Sequence, residues 1–138
     1  MRQLYRFAPV VLRLSMAAVF VWFGASQLAD ASAWIAVVPS WATAFGISAE
    51  TLVRLNGMFE VMASVLLSIG IFTRPVAFLL SLHLFVIASG FGFSPTGVRD
   101  YGLALATLSV ALSGGDMWAL YPEMRPGEGE NGNARENL

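Results

Sequence analysis

Residues 51 to 72 read TLVRLNGMFEVMASVLLSIGIF, and the reading of this run decides the fold. It reaches the roughly 20 residues that a helix needs to cross a hydrocarbon core about 30 Å thick. It also holds one acid, Glu60, about 13 Å from its start at 1.5 Å per residue, close to the midplane. A charge at that depth costs about 2.5–3.5 kcal/mol on insertion scales, so Glu60 is either compensated by the protein or used by it. The whole chain supports a bilayer setting: of 138 residues 57% are hydrophobic and 12% charged, where a soluble domain has about a quarter charged. Mean hydropathy is +0.67.

Three further apolar segments flank this one: PVVLRLSMAAVFVWFGASQL (9 to 28), PVAFLLSLHLFVIASGFGF (75 to 93) and VRDYGLALATLSVALSGGDMW (98 to 118). The reading is an all-α protein, a four-transmembrane-helix bundle, with 1–121 as its membrane domain and 122–138 (PEMRPGEGENGNAREN and the last residues) as a disordered cytoplasmic tail. Pro9 suits a first helical turn, where its missing N–H has no partner to lose. The TRP after residue 72 reads as a tight turn, with Pro75 biasing Arg74 away from helix. An alternative treats the first segment as a signal peptide cleaved near ASA before Trp34, leaving three spans; Arg13 within the run and the run's length speak against it. Arg2, Arg6 and Arg74 fall on one side and the segment 29 to 50 carries acids but no basic residue, so both termini are expected to be cytoplasmic. Trp22, Trp34, Trp41 and Tyr101 would mark the outer interface, and Tyr5, Trp118 and Tyr121 the inner one. The outer segment ADASAWIAVVPSWATAFGISAE is partly apolar and broken by Pro39. It reads either as a cap over the bundle or as a surface loop anchored by two tryptophans.

A helix turns about 100° per residue, which puts the polar and small residues of each segment on one side. Asn56, Gly57, Glu60, Ser64 and Ser68 share a face; so do Arg13, Ala17, Phe20, Gly24 and Gln27, and Asp100, Ala104, Thr107, Ala111 and Gly114. Small residues let helices approach and polar ones bond across the contact, so these faces should meet inside the bundle. His83 lies roughly 12 Å up the third segment, level with Glu60 to within about a turn, which makes it the leading partner of that acid. Arg13 can reach toward Glu60 or down to the inner headgroups, and the lean of helical side chains toward their own N-terminus favours the headgroups. Arg54, Arg99 and Asp100 form a structural polar cluster at the outer end, with Arg54 expected on Asp100. Asp116 is expected at the interface with no evident role.

Several chemistries are excluded. The eight basic residues are all arginines and the formal net charge is -1, so there is no broad basic surface for nucleic acid. Zero cysteines rule out a disulfide framework, a CxxC pair and thiolate metal sites. One histidine and one carboxylate at mid-depth are too few ligands for a metal, and Ser64 and Ser68 lack the oriented base that nucleophilic catalysis needs. The candidates that stay are a proton-exchanging pair, Glu60 and His83, and a ligand-binding set of Arg13, Asn56, Glu60 and His83. A hydrogen-bonded core histidine and a helix-gluing acid are the structural alternatives for the same residues.

The order FVWFGASQL, ASAWIAVVPSWA, LNGMFEVMASVLLSIGIFTR and RDYGLALATLSVAL resembles the DoxX family of small membrane proteins, across roughly residues 10 to 118. Arg13, Gly24, Glu60, Gly70, Arg74, Arg99 and Asp100 match its pattern, with His83 carried alongside. The resemblance implies a bacterial or archaeal inner (plasma) membrane protein whose relatives include small subunits of quinol- or quinone-linked oxidoreductases. The expectation is therefore a subunit of a membrane-associated, quinone-linked oxidoreductase assembly, with membrane lipid around it, a protein partner or further copies of itself, and quinone as the candidate cofactor. The rivals are a non-catalytic membrane anchor or assembly factor, and a proton-coupled small-solute carrier. No stand-alone catalytic motif is present.

Overall fold

The computed structural model describes residues 6–120, and among these every regular element is helical. Four long helices, α1 (Phe7–Ala29), α3 (Ala49–Ile69), α4 (Thr73–Phe91) and α5 (Pro95–Ser113), run 23, 21, 19 and 19 residues. Between α1 and α3 lie a 3₁₀ segment, Ala31–Val37, and the single turn α2, Ser40–Thr43. Three helices, α1, α3 and α4, are long and apolar enough to cross a membrane. α5 is as long as α4 but carries Arg99 and Asp100 in its first turns. Arg2, Tyr5, Tyr121 and the tail from 122 lie outside the described residues.

The start and stop points follow local rules, and they move the expected boundaries. Ser48 accepts from the Thr51 amide and caps α3; Ser94 accepts from the Gly97 amide and caps α5, with Pro95 in the first turn. α3 stops at Ile69, not residue 72, because Gly70 takes the left-handed conformation at φ 80°. Its amide and that of Ile71 turn back onto Leu66 and Leu67 carbonyls, the usual glycine-ended cap. α4 begins at Thr73 rather than 75: a proline within the first turn removes an N–H that is unpaired there anyway, so Arg74 stays helical. α5 ends at Ser113 instead of 118, where Gly114, at φ 77°, breaks it. That shortening frees Asp116 to fold back into the molecule.

The helices pack as two close pairs, α1 with α3 and α4 with α5, and the pairs touch each other more lightly. In α1 and α3 the seam is a backbone contact: a Cβ on Gly24 would sit 2.7 Å from the Gly57 carbonyl oxygen, and one on Gly57 2.8 Å from that of Gly24. In the other pair Ser81 donates its hydroxyl to the Ala104 carbonyl at 2.8 Å. Arg13, Gln27, Glu60, Ser64, Ser81, Asp100 and Thr107 are all buried, whereas Val11, Trp22, Met62, Leu79, Leu82, Leu105 and Leu112 face outward. Polar inside and apolar outside is the distribution that lipid as a solvent selects, since nothing in the hydrocarbon can satisfy an exposed polar group. The expected stripes are these buried faces, with Ser68 at their margin.

Candidate functional site

The Gly24–Gly57 contact sets the site, because it brings Gln27, one turn farther along α1, against Asn56 and Glu60 on α3. Gln27 Nε2 donates to Glu60 Oε2 at 3.1 Å. Asn56 Nδ2 donates both to Glu60 Oε1 at 3.0 Å and to Gln27 Oε1 at 2.8 Å. Each carboxylate oxygen of Glu60, 3% exposed, thus accepts an amide hydrogen, which offsets the desolvation that burial imposes. His83 approaches from α4, its Nε2 3.4 Å from Glu60 Oε1. That nitrogen is buried but out of line for a hydrogen bond, and the ring rests edge-on against Phe59 at 4.9 Å. Three of the four expected ligand-binding residues, Asn56, Glu60 and His83, therefore meet, drawn from two helices and joined by Gln27 from a third.

This cluster lines one part of a cavity of about 660 Å³, a size suited to a drug-sized or cofactor headgroup ligand. Phe20, Phe23, Leu84 and Ile87 supply apolar wall; Trp34, Pro39 and Trp41 reach in from the segment between α1 and α3. The segment therefore lies along the cavity through its two tryptophans, with Ala31 buried and Trp41 and Phe45 exposed, a placement that both of its readings allow. Asp30 holds its start, accepting from the Ser32 hydroxyl at 2.6 Å and from the Ser32 and Ala33 amides. Trp34 stacks edge-on with Phe23 at 5.8 Å. Arg99, half exposed, and the buried Asp100 also line it, joined by an Arg99 Nε to Asp100 Oδ1 bond of 2.8 Å. The guanidinium lies 5.6 Å from the Phe23 ring centre.

Arg54 does not join that pair. It bonds Glu50, one turn back on its own helix, at 2.8 Å and in solvent-exposed surroundings. The expected Arg54–Asp100 bridge fails because α3 and α5 do not pack against each other, so Asp100 takes its sequence neighbour instead.

Arg13 lies at the opposite end of the bundle and does not line the cavity. It turns inward to a protein partner rather than to headgroups, and is 1% exposed. Its Nε and Nη2 grip Asp116 Oδ2 and Oδ1 at 2.7 and 3.1 Å, and Nη1 donates to the Leu67 and Ser68 carbonyls at 2.7 and 2.6 Å. The Leu120 amide takes the Ile69 carbonyl. The last carbonyls of α3 are thus met by the Gly70 and Ile71 amides, by one guanidinium and by the segment after α5. Burial acts to raise the Asp116 carboxyl, but the Arg13 hydrogen bonds and charge, with the Trp118 and Ala119 amides, outweigh it and hold the group below its ordinary range.

A depressed carboxyl pKa means that the ionised form stabilises the fold. This contribution is complete above about pH 5 and is lost as pH falls through the ordinary aspartate value near 3.9 and on through the lower folded one. The thermal midpoint of the detergent-solubilised protein should therefore fall on acidification. The gap between wild type and Asp116→Asn should narrow by about pH 3; a gap that stays constant from neutral to acid pH would show that Asp116 charge does not hold this end.

Two residues escaped the list of candidates. Gln27 stands on the same face of α1 as Arg13 and Gly24, so its direction was legible; that it saturates Glu60 depended on how closely α1 meets α3. Asp116 gave no periodic signal, since it lies beyond the end of its helix.

A family model described as DoxX matches residues 8–93. The matched stretch holds Arg13, Gly24, Gln27, Asn56, Glu60, Gly70, Arg74 and His83, and stops before Arg99, Asp100 and Asp116. No curated protein and no solved structure matches the chain.

Proposed function

The chain belongs to the DoxX family, and from that premise we propose that it serves as an integral subunit of a quinone-linked oxidoreductase assembly in a bacterial or archaeal inner membrane. In this reading all four long helices span the bilayer and both termini are cytoplasmic. The observation that carries the proposal is the Glu60–His83 pair, 3.4 Å apart, in the lining of a cavity whose walls are mostly apolar and aromatic. A quinone needs an apolar slot for its ring and tail, a donor for a carbonyl oxygen, and a group that exchanges protons as electrons arrive or leave. An imidazole with an unaligned ring nitrogen supplies the donor, and a carboxylate beside it the proton exchange. With no cysteine and one histidine in the sequence, the electrons are assigned to a partner protein that carries a redox centre.

The test is direct binding of a short-chain quinone to the purified protein, with turnover of the assembly isolated from its native membrane. Glu60→Gln and His83→Ala should each weaken binding about tenfold or more, equal to about 1.4 kcal/mol, and slow quinone-linked turnover. Unchanged binding and turnover in both variants would sink the proposal.

One observation favours the rival anchor reading: both Glu60 oxygens already accept amide hydrogens, as they would in an acid kept only to specify packing. That reading expects Glu60→Gln to lose folded protein in detergent. The catalytic reading expects a folded variant that has lost quinone.

A further inference from the structure

We propose, resting on the reading of the cavity as the reacting site, that this site exchanges protons and ligand with one face of the membrane only, the face on which residues 31–43 lie. The titratable and charged groups lining the cavity are Glu60 from α3, His83 from α4, and Arg99 and Asp100 from α5. α1 contributes no charged group, its one amide side chain being Gln27, and residues 31–43 carry no charge. Of these groups Arg99 is the most exposed, its side chain 53% open against 4% for Glu60 and 24% for His83, so the polar route leads from the Glu60–His83 end toward Arg99.

Among the described residues, no charged side chain lies on the helices between this cluster and Arg13 at the opposite end. Below Glu60 the core is filled by Met16, Ala17, Leu67, Ala77 and Leu80, of which Leu67, Ala77 and Leu80 have no exposure at all. Under that plug lies the Arg13 guanidinium, bound on Nε, Nη1 and Nη2 to Asp116 and the end of α3. A tightly packed apolar layer, backed by a guanidinium already locked to Asp116, leaves protons no titratable relay to cross by. A proton that a bound ligand's hydroxyl gives to the imidazole of His83 is handed on to water near Arg99 and appears on the side of residues 31–43; uptake follows the reverse route. Alternating access to both faces, which a solute carrier requires, would mean breaking both the plug and the Arg13–Asp116 grip.

The absence of cysteine from the sequence allows the idea to be tested with single-cysteine variants in proteoliposomes and a membrane-impermeant, positively charged thiosulfonate. Phe45→Cys and Phe72→Cys, 81% and 68% exposed in the wild type, report the face of residues 31–43 and the opposite face. Val53→Cys and Leu84→Cys report the cavity, and Ala77→Cys the plug. The cavity cysteines should react from the face that labels Phe45→Cys faster than from the other face by about tenfold or more, because reagent access sets the difference. Ala77→Cys should resist reagent from either side. Cavity labelling from the Phe72→Cys side, from both sides equally, or from neither would overturn the proposal. A second arm adds short-chain quinone: one-sided labelling that quinone fails to slow leaves the one-sided port standing and counts against the quinone reading alone.

Discussion

Arg13→Met should lower the stability of the solubilised protein by about 3–5 kcal/mol, the usual cost of stranding one partner of a buried ion pair. Asp116, its side chain 2% exposed, would lose the guanidinium that grips it, and the Ser68 carbonyl would lose its Arg13 donor while that of Leu67 kept the Gly70 amide. The double variant Arg13→Met, Asp116→Leu removes both charges and should recover much of the loss, because two well-packed apolar residues can replace a buried pair at little cost. Denaturant or thermal unfolding of the three proteins in one detergent measures the difference. If Arg13→Met were nearly neutral, or the double variant no better than the single, the pair could not be what ties the end of α5 to α3. The cavity lies at the far end of the bundle from Arg13, so on the proposed reading the folded fraction of each variant should still bind quinone. Distant sites without shared partners behave additively.

The contrast between these two polar clusters explains which parts of the molecule were readable in the chain. Glu60 and His83 were paired by depth and by the short turn between their helices, both of which depend only on helical rise and chain connectivity. The inward faces were readable because lipid forces polar and small residues to one side, and a 100° rotation per residue then fixes who shares a face. Arg13–Asp116 was hidden for the opposite reason. It spans 103 positions and relies on where Gly114 ends α5, and a glycine pair after an apolar run signals weakening of a helix without giving the residue at which it stops. Arg54 shows a third case: level in depth with Asp100, it was assigned a partner on a helix that turned out not to be its neighbour. Depth along a helix comes from counting residues; adjacency around a bundle does not.

The same reasoning makes Gly57 the position at which packing and function are least separable. Gly57→Ala should cost about 1–3 kcal/mol, the range for overpacking a tight contact, and valine more, because the added Cβ meets a backbone oxygen at 2.8 Å, then Gln27 Cβ at 3.1 Å and Leu28 Cγ at 3.2 Å. Backbone cannot rotate out of the way, so α1 and α3 must part. Gln27 moves with α1 and so away from Glu60, which loses the donor on Oε2 and with it the restraint that holds the carboxylate toward His83. A fall in stability should therefore come with weaker quinone binding in the fraction still folded. Gly102→Ala supplies the control: a Cβ there meets nothing within 4 Å, and mid-helix alanine is favoured over glycine by up to about 1 kcal/mol. That variant should be as stable as the wild type or more so, with quinone binding intact. Equal behaviour of the Gly57 and Gly102 variants would mean that the helix seam neither limits stability nor aligns the acid, and Glu60 would then owe its position to α3 alone.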